Sequence, residues 1–234
     1  MANPVIQNHN CATCKHYGYA FCALDEDQVS LFNDSKKENV LKKGSVIFTE
    51  NHFPTGIYAI YDGKVKISKL GDEGKEQIVR FAKSGDFIGY RSLLSEDSYH
   101  ASAVALNDVT LCHIPKTKFL SVLKENFWLQ QDLIKRLAID LRNAENRILS
   151  ISQKTVKERI AETLIILYYE FGHKENESID VKLSRKDIGN IAGSTIETTI
   201  RTLSELKKEG FIEFNGKEII VKDITALEHI ANIH

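Results

Sequence analysis

The chain has 234 residues, of which 42% are hydrophobic and 27% are charged, and this composition is ordinary for a soluble globular protein. Its length leaves room for one large domain or two modest ones. No run approaches the roughly 18 consecutive apolar residues of a membrane span. The first ten residues lack the basic and apolar regions of a secretory signal, so we expect a cytoplasmic protein with no membrane partner.

Three cysteines, Cys11, Cys14 and Cys22, lie close together in an N-terminal arm that also holds His9 and His16. Cytoplasmic thiols are kept reduced, so these cysteines are not expected to form structural disulfides. Thiolates are soft ligands that suit zinc or an iron–sulfur cluster. The spacing therefore predicts a metal or cluster site, and the alternative is a set of free thiols in a terminal tail.

Residues 41–114 consist of short alternating or β-branched runs that are separated by glycines. Asp62-Gly63 predicts a hairpin turn, and Gly71 to Gly74 predicts a longer one. Regularly spaced short strands with such turn signals predict an antiparallel barrel or roll. Cys112 lies in the last run and would, by itself, most often be a small buried residue.

After Pro115 the periodicity becomes helical, with a short helix from Lys116 to about Asn126 and a long one after it. Apolar residues in the long helix alternate in steps of three and four, which is a heptad seam. So long a helix has little to bury its seam against within one chain, so we predict a homodimer. The alternative is packing against the roll, which we expect only of Leu129 and Leu133. The seam consists of Phe127, Gln130, Ile134, Leu137, Leu141, Ala144, Ile148 and Ile151.

Leu183 to Gly210 has the pattern of a helix-turn-helix. Ser184 can cap a first helix, with Asp187 at its third position. Ser194 can cap a second helix, with Glu197 three residues further on. A small Ala-Gly pair between the helices supplies the tight turn that this motif needs. The alternative is a helical pair that only packs.

Asn215-Gly216 lies between two strand-like runs and predicts a β-hairpin, which turns the helix pair into a winged helix. On the second helix, Thr199, Leu203 and Leu206 should face inward. A glutamate can accept from cytosine N4, an arginine can donate to guanine or phosphate, and isoleucines can touch thymine methyls. The residues that we expect at double-stranded DNA are Arg185, Ser194, Thr195, Ile196, Glu197, Ile200 and Arg201.

The net charge of −1 is unusual for a DNA-binding protein. Residues 155–234 hold 11 lysines and arginines against 14 aspartates and glutamates, so positive charge must be local there. Non-specific affinity should therefore be weak, and useful affinity should require a dimer that binds two half-sites of a palindrome.

The order of cysteine arm, roll, long helix and winged helix resembles the cyclic AMP receptor / FNR superfamily of bacterial transcription regulators over nearly the whole chain. It is most similar to the FNR branch of oxygen-sensing regulators. Residues 183–203 are similar to that family's helix-turn-helix, with Glu197 and Arg201 as its Glu-x-x-x-Arg pair. Ile200 stands where FNR proteins usually place a serine, so the preferred half-site is open at that position.

The LCHIP segment around Cys112 is similar to the one that supplies the fourth cluster cysteine in the FNR branch. The resemblance implies a [4Fe–4S] cluster on four cysteines, a DNA-binding dimer that oxygen disrupts, and RNA polymerase as a partner. The gap between the second and third arm cysteines is wider than in the best-known members, so zinc and a thiol switch stay open. The implied ligands are Cys11, Cys14, Cys22 and Cys112.

The cyclic AMP receptor branch binds the nucleotide phosphate through an arginine of the roll. In this chain His100 stands at that position, and Asp86 stands where the family has a glutamate. A neutral imidazole is a poor substitute for a bidentate guanidinium, so we do not expect cyclic AMP to bind. A regulator of the same fold with another small molecule in the roll is the alternative.

The sequence thus predicts an α+β chain with four segments. They are an N-terminal cysteine arm (1–24), an antiparallel β-roll of the cyclic-nucleotide-binding type (25–125), a dimerisation helix (126–154) and a winged helix-turn-helix domain (155–234). No nucleophile–base pair, phosphate loop or paired carboxylates appear at useful spacing, so we do not expect an enzyme.

Overall fold

The structure is a computed structural model that describes residues 9–16, 24–71 and 74–233. These residues form two compact units. The first contains the chain up to Leu70 together with Val79–Ile139, and the second contains Gly71–Ile78 and the chain from Asp140 onward. Among the described helices, none is both long enough and apolar enough to cross a membrane.

The roll of the first unit is built from two four-stranded sheets, in the orders β1-β8-β3-β6 and β2-β7-β4-β5. Strand β8 pairs antiparallel with β1 and β3, and β7 pairs antiparallel with β2 and β4. The predicted antiparallel roll is confirmed. The strands are β1 (Lys37–Leu41), β2 (Val46–Phe48), β3 (Gly56–Asp62), β4 (Lys64–Leu70), β5 (Glu76–Lys83), β6 (Phe87–Ile88), β7 (Ser102–Ala105) and β8 (Val109–Pro115).

The two predicted turns of the roll have different outcomes. The prediction of a hairpin at Asp62-Gly63 was wrong, because β3 and β4 belong to different sheets. Gly63 has a φ of 113°, and a Cβ there would lie 2.8 Å from the Asp108 carbonyl oxygen. Only glycine fits this crossing from one sheet to the other. The longer turn is confirmed, since the Gly71 N–H donates to the Lys75 carbonyl and β4 is paired with β5.

The α-helices of the described residues that accompany the roll are α1 (Glu26–Ser35), α2 (Tyr90–Leu94), α3 (Lys116–Glu125) and the long α4 (Phe127–Gln153), which continues into the second unit. Helix α1 was not predicted, although Asp25 and Gln28 form a full capping box at its start. Leu129 and Leu133 are each only 2% exposed, in one core with Phe32 of α1 and Phe119 of α3. These two leucines therefore pack against the roll, as predicted.

The remaining apolar stripe of α4 is uncovered in a single chain. Ile134 is 58% exposed, Leu141 is 61% exposed and Ile148 is 68% exposed. Exposed apolar area costs about 25 cal/mol for each Å² that stays in water, so a stripe of this kind favours a partner surface. We keep the name stem seam for Ile134, Leu137, Leu141, Ala144, Ile148 and Ile151.

The second unit continues from α4 into the C-terminal helices and a two-stranded wing. Ile160, Leu164 and Leu167 are buried along one side of α5, whereas Tyr168 is half-buried and its hydroxyl donates to Glu177 at 2.6 Å. The sheets, the long helix and the helix-turn-helix confirm the predicted α+β fold class. The elements are α5 (Val156–Phe171), α6 (Arg185–Ala192), α7 (Ile196–Lys208), β9 (Ile212–Asn215), β10 (Glu218–Val221) and α8 (Ile224–Ile230).

Candidate DNA interface and cysteine site

The first helix of the pair, α6, begins and ends as the sequence predicts. The Ser184 hydroxyl accepts a hydrogen bond from the Asp187 N–H at 3.0 Å, and the Asp187 carboxylate accepts one from the Ser184 N–H at 3.0 Å. This capping box satisfies two free N–H groups at once. At the other end, Gly193 has a φ of 62°, a left-handed conformation that favours glycine.

Gly189 lets the two helices come into contact. A Cβ at this position would lie 2.8 Å from Thr199 Oγ1 and 3.0 Å from the Ser194 carbonyl oxygen. A close-packed contact cannot absorb an extra methyl group without moving the backbone. The angle between α6 and α7 therefore depends on a glycine that the sequence analysis did not single out.

The second helix, α7, begins one residue later than predicted. Its N-cap is Thr195, whose hydroxyl accepts from the Thr198 N–H, while the Ser194 N–H donates to the Gly189 carbonyl at 3.0 Å. Ser194 is therefore used to close the turn after α6. The prediction of a capping box between Ser194 and Glu197 was wrong because two adjacent residues carry the hydroxyl that an N-cap needs.

The two faces of α7 differ as predicted. Its inner face is fully buried and holds Thr199, Leu203 and Leu206. Ile196 and Ile200 remain 41% and 49% exposed on the outer face. Arg201 and Glu197 are exposed beside them. This surface offers one carboxylate acceptor, one guanidinium donor and two apolar groups, which are the contacts that base edges in a major groove accept.

The Phe214 ring of the wing supports Arg185, and no local sequence pattern indicates this contact. The Arg185 guanidinium lies 4.0 Å from the centroid of Phe214, and Lys207 Nζ lies 5.6 Å from the same centroid. Arg185 Nη1 is buried and has no hydrogen-bond partner among the residues that the structure describes. Burial lowers the pKa of Arg185, yet a guanidinium stays charged in proteins. The Phe214 ring therefore fixes the position of the Arg185 guanidinium, and Nη1 keeps a donor that is not used within the described chain.

The wing is a hairpin, as predicted, but its turn is displaced by one residue. Asn215 still pairs with Glu218, so Gly216 and Lys217 form the loop. Gly216 has a φ of 59°, which explains the need for glycine at this position. The loop brings the exposed Lys217 to the tip of the wing.

Cysteines from distant parts of the chain meet at one pocket of the first unit. Cys11 and Cys14 lie at the two ends of a short 3₁₀ turn (Cys11–Thr13), and Cys112 belongs to β8. All three line the same pocket, together with His9 and His16. Cys22, the remaining predicted ligand, lies outside the described residues.

Lys36 anchors the arm at this pocket. Its Nζ donates to Cys11 Sγ at 3.3 Å, to Asn33 Oδ1 at 3.0 Å and to the His9 carbonyl. Glu38 Oε2 also contacts the arm and accepts from the His9 N–H at 3.0 Å, whereas its Oε1 is buried without a hydrogen-bond partner in the described chain. The pocket therefore holds one buried cation and one buried carboxylate that is only partly satisfied.

Two thiols of the pocket, those of Cys112 and Cys11, have a raised pKa. Burial raises the pKa of Cys112 to about 12, and it also raises the pKa of Cys11, against a smaller lowering by the charge of Lys36. A bound metal deprotonates its thiol ligands, because its charge replaces the missing solvation. No group of three His, Cys, Asp or Glu side chains in the described ranges already stands in metal-binding geometry. Three soft thiols in one pocket nevertheless fit an iron–sulfur or zinc site by their chemistry.

The roll lacks a guanidinium at the position that the cyclic AMP receptor branch uses for phosphate. His100 is exposed there, and its Nε2 lies 3.2 Å from Asp97 Oδ2. Asp86 is engaged by its own strand turn, since its Oδ2 accepts from the Lys83 N–H at 2.8 Å. Neither side chain presents the charge that a cyclic phosphate requires.

Known proteins share both parts of this arrangement. The family model of the cyclic nucleotide-binding domain matches residues 38–126, and that of the Crp-like helix-turn-helix domain matches residues 158–230. The transcriptional activator protein Anr of Pseudomonas protegens is 30% identical over 232 residues, which are 95% of this chain and 94% of that protein. The chain belongs to the CRP/FNR family of transcription regulators.

Other CRP/FNR proteins extend the comparison. The fumarate and nitrate reduction regulatory protein of Escherichia coli is 28% identical over 89% of this chain and 84% of its own length. The structure of FixK2 from Bradyrhizobium japonicum is similar with a TM-score of 0.75 and 27% identity, over 83% of this chain and 96% of that one. The chain is thus a DNA-binding transcription regulator of the FNR type and not an enzyme. CRP/FNR regulators bind DNA through this helix-turn-helix and act as dimers.

Proposed function

We propose that this CRP/FNR regulator binds a palindromic promoter site as a homodimer and is switched by oxygen through a [4Fe–4S] cluster. The proposed ligands are Cys11, Cys14, Cys22 and Cys112. One observation carries the proposal: cysteines of the arm and of a roll strand line one pocket, in a chain of the FNR type. The segment boundaries that we propose for these roles are 1–24, 25–125, 126–154 and 155–234.

The four cysteine thiolates would hold the cluster, which would supply an oxygen-sensitive redox centre when bound. The chain contributes the soft donors, and burial raises the pKa of Cys112 and Cys11, so that metal charge would favour the thiolate form of these two cysteines. Lys36, at the end of α1, contributes a donor to Cys11 Sγ and to Asn33 of α1, which holds the arm against this helix.

Packing connects this pocket to the start of the stem. Cys11 lies against the core that contains Phe32, Leu129 and Leu133, and the two leucines belong to the first turns of α4. Close-packed cores have discrete arrangements and transmit small displacements. A change in the position of the arm can therefore alter how α4 presents its stem seam to a second copy of the chain.

The stem seam supports the dimer, and the acidic balance of residues 155–234 supports the need for one. A single recognition helix on a net acidic domain gains little electrostatic binding affinity from the DNA phosphates. Two copies joined by the stem present two recognition helices, which read half-sites about one helical turn apart. Because relatives are named transcriptional activators, RNA polymerase is the further partner that the proposal implies.

The test is the iron, sulfide and zinc content of protein purified without air. We expect about four iron and four sulfide per chain, and loss of both after Cys112→Ala or Cys22→Ala. One zinc per chain without sulfide would replace the cluster with a zinc site. An absence of metal would leave a thiol switch, for which reversible oxidation of the same cysteines is the readout.

The roll-ligand alternative is tested separately. Protein is unfolded, stripped of small molecules, refolded and reconstituted with iron and sulfide alone. The proposal predicts that specific DNA binding returns. A requirement for a small molecule extracted from the native protein would instead favour an effector in the roll.

A further inference from the structure

One guanidinium of the second unit joins three backbone carbonyls. Arg159 of α5 donates from Nη1 to the Lys154 carbonyl at 2.7 Å and from Nε to the Ala192 carbonyl at 2.7 Å. Its Nη2 donates to the Gly193 carbonyl at 3.3 Å. The guanidinium of an arginine is planar and rigid. Its three hydrogen bonds therefore fix α5 relative to the end of α4 at Lys154 and to the turn at Ala192 and Gly193.

The positions of these carbonyls give the contact its meaning. Lys154 directly follows the last residue of the stem helix α4. Ala192 and Gly193 form the turn that leads into the recognition helix α7, whose N-cap is Thr195. The last carbonyls of a helix have no partner within the helix, so a side-chain donor satisfies them and sets the direction of the chain. Arg159 thus ties the end of the stem to the start of the recognition helix.

A second set of contacts stiffens the same joint. Glu162 of α5 accepts from Lys154 Nζ at 2.7 Å and from the Ser150 hydroxyl of α4. Ser150 is buried, and the side chains of Lys154 and Glu162 are only 20% and 19% exposed, so these bonds are partly shielded from solvent. The turn between α4 and α5 is therefore fixed on the stem side by Glu162, and Arg159 extends that fixed joint to the recognition helix.

We propose that Arg159 is a positioning residue that sets how far each recognition helix lies from the two-fold axis, and thereby the half-site spacing that the dimer accepts. The inference rests on the proposed dimer. One extra base pair between half-sites shifts a half-site by about 3.4 Å and rotates it by about 35° along B-DNA. If the joint at Arg159 is stiff, the recognition helix cannot adjust to both the shift and the rotation of the half-site. If the joint is loose, the recognition helix can adjust to both.

The experiment compares Arg159→Met with the wild type on three DNA probes. The probes are the best palindrome that the anaerobic wild type selects from a random pool, and the same palindrome with its centre shortened or lengthened by one base pair. We expect the wild type to bind the altered probes roughly tenfold more weakly or worse, as for a mismatched site. Arg159→Met should bind the three probes within about threefold of one another, with its best affinity reduced.

Two outcomes would overturn the inference. The first is that Arg159→Met retains the spacing preference of the wild type. The second is that its affinity falls by the same factor on all three probes, which is the result that a merely structural role gives. A wild type that is monomeric or has no spacing preference would contradict the proposed dimer instead, so the two failures are distinguishable.

Lys157→Met is the matched control. Lys157 also reaches from α5 to the other end of the recognition helix, but through a partly exposed ion pair with Glu209 at 2.7 Å. Such pairs contribute little, so its spacing preference should equal that of the wild type. If Arg159→Met does not fold, Arg159→Lys decides: its single ammonium lacks the fork, so a wild-type spacing preference in this variant overturns the inference.

Discussion

We call the helix pair α6 and α7 the recognition end, and the cysteine pocket together with the stem seam the sensor end. The two regions differ in how many of their polar and apolar groups have partners within the described chain. In α6 and α7 the caps are filled, the glycines occupy the positions that need them, and the inner face is buried. At the other end, the stem seam is exposed, the Cys112 thiol has its pKa raised to about 12, and Glu38 Oε1 is buried without a partner among the described residues. The helix pair makes its packing and capping contacts within a single chain. The cysteine pocket and the stem seam have groups that a metal or a second chain could contact.

This difference indicates where a signal can act. Because the helix-turn-helix is already formed, a switch does not need to fold it. A switch can instead act on what the sensor end lacks, which is a charge for the thiols and a second copy for the stem seam. Variants of the two regions test this division, and a variant of the stem seam should have the largest effect.

Leu141→Glu should abolish the dimer, because it places a charge on each chain at a seam residue that is 61% exposed in the monomer. Specific DNA affinity should fall by roughly a hundredfold or more, since one half-site is lost. Sedimentation and gel-shift titration measure the two effects. Asn146→Glu, an exposed position of the same helix outside the seam, is the control; equal loss in both variants would contradict a seam dimer.

Arg201→Ala should lower specific binding by about 1–3 kcal/mol if its guanidinium reads a base. Its exposed side chain makes the loss one of contact and not of folding. Titrations on the selected palindrome and on random DNA measure the difference. An equal loss on both would make Arg201 a phosphate contact, and Glu205→Ala on the same helix serves as the control.

Lys36→Met should hasten the loss of a cluster in air. The variant removes the donor to Cys11 Sγ and to the arm, and a charged hydrogen bond is worth roughly tenfold in an equilibrium. Decay of the cluster absorbance after air exposure gives the rate. Lys37→Met is the matched control, because Lys37 is the exposed neighbour on β1; equal decay of both variants and wild type would remove the role of Lys36.

Ser184→Ala should have the smallest effect. It removes the hydroxyl of a complete capping box, which is worth about 1 kcal/mol of stability. Thermal unfolding should show a small decrease, with oligomeric state and metal content unchanged. A change in metal content would mean that the two ends of the molecule are not independent in the way that we describe.

Local signals in the sequence were sufficient for most of the recognition end. The Ser184–Asp187 box and the inner face of α7 follow from spacing alone, because each depends on neighbours within one helical turn. Ser194 and Thr195 both carry a hydroxyl that can cap α7, and the local sequence does not indicate which of the two is the N-cap. The choice depended on Gly189, whose carbonyl accepts the Ser194 N–H.

Contacts between residues that are far apart in the chain could not be predicted from local sequence patterns. Nothing in the local pattern joins Arg185 to Phe214 or Arg159 to the turn at Ala192. The turn at Asp62-Gly63 has hairpin residues, yet its strands belong to different sheets because the chain crosses the roll there. Cys112 was included only through resemblance, since a lone cysteine in a strand has no signal of its own.

The most direct test is a titration of one anaerobic sample against a palindrome and against its isolated half-site, repeated after exposure to air. The account predicts that the anaerobic protein prefers the palindrome by a wide margin, and that air removes both this preference and the iron. A preference for the palindrome that is equal before and after air, in protein that has lost its iron, would contradict the account.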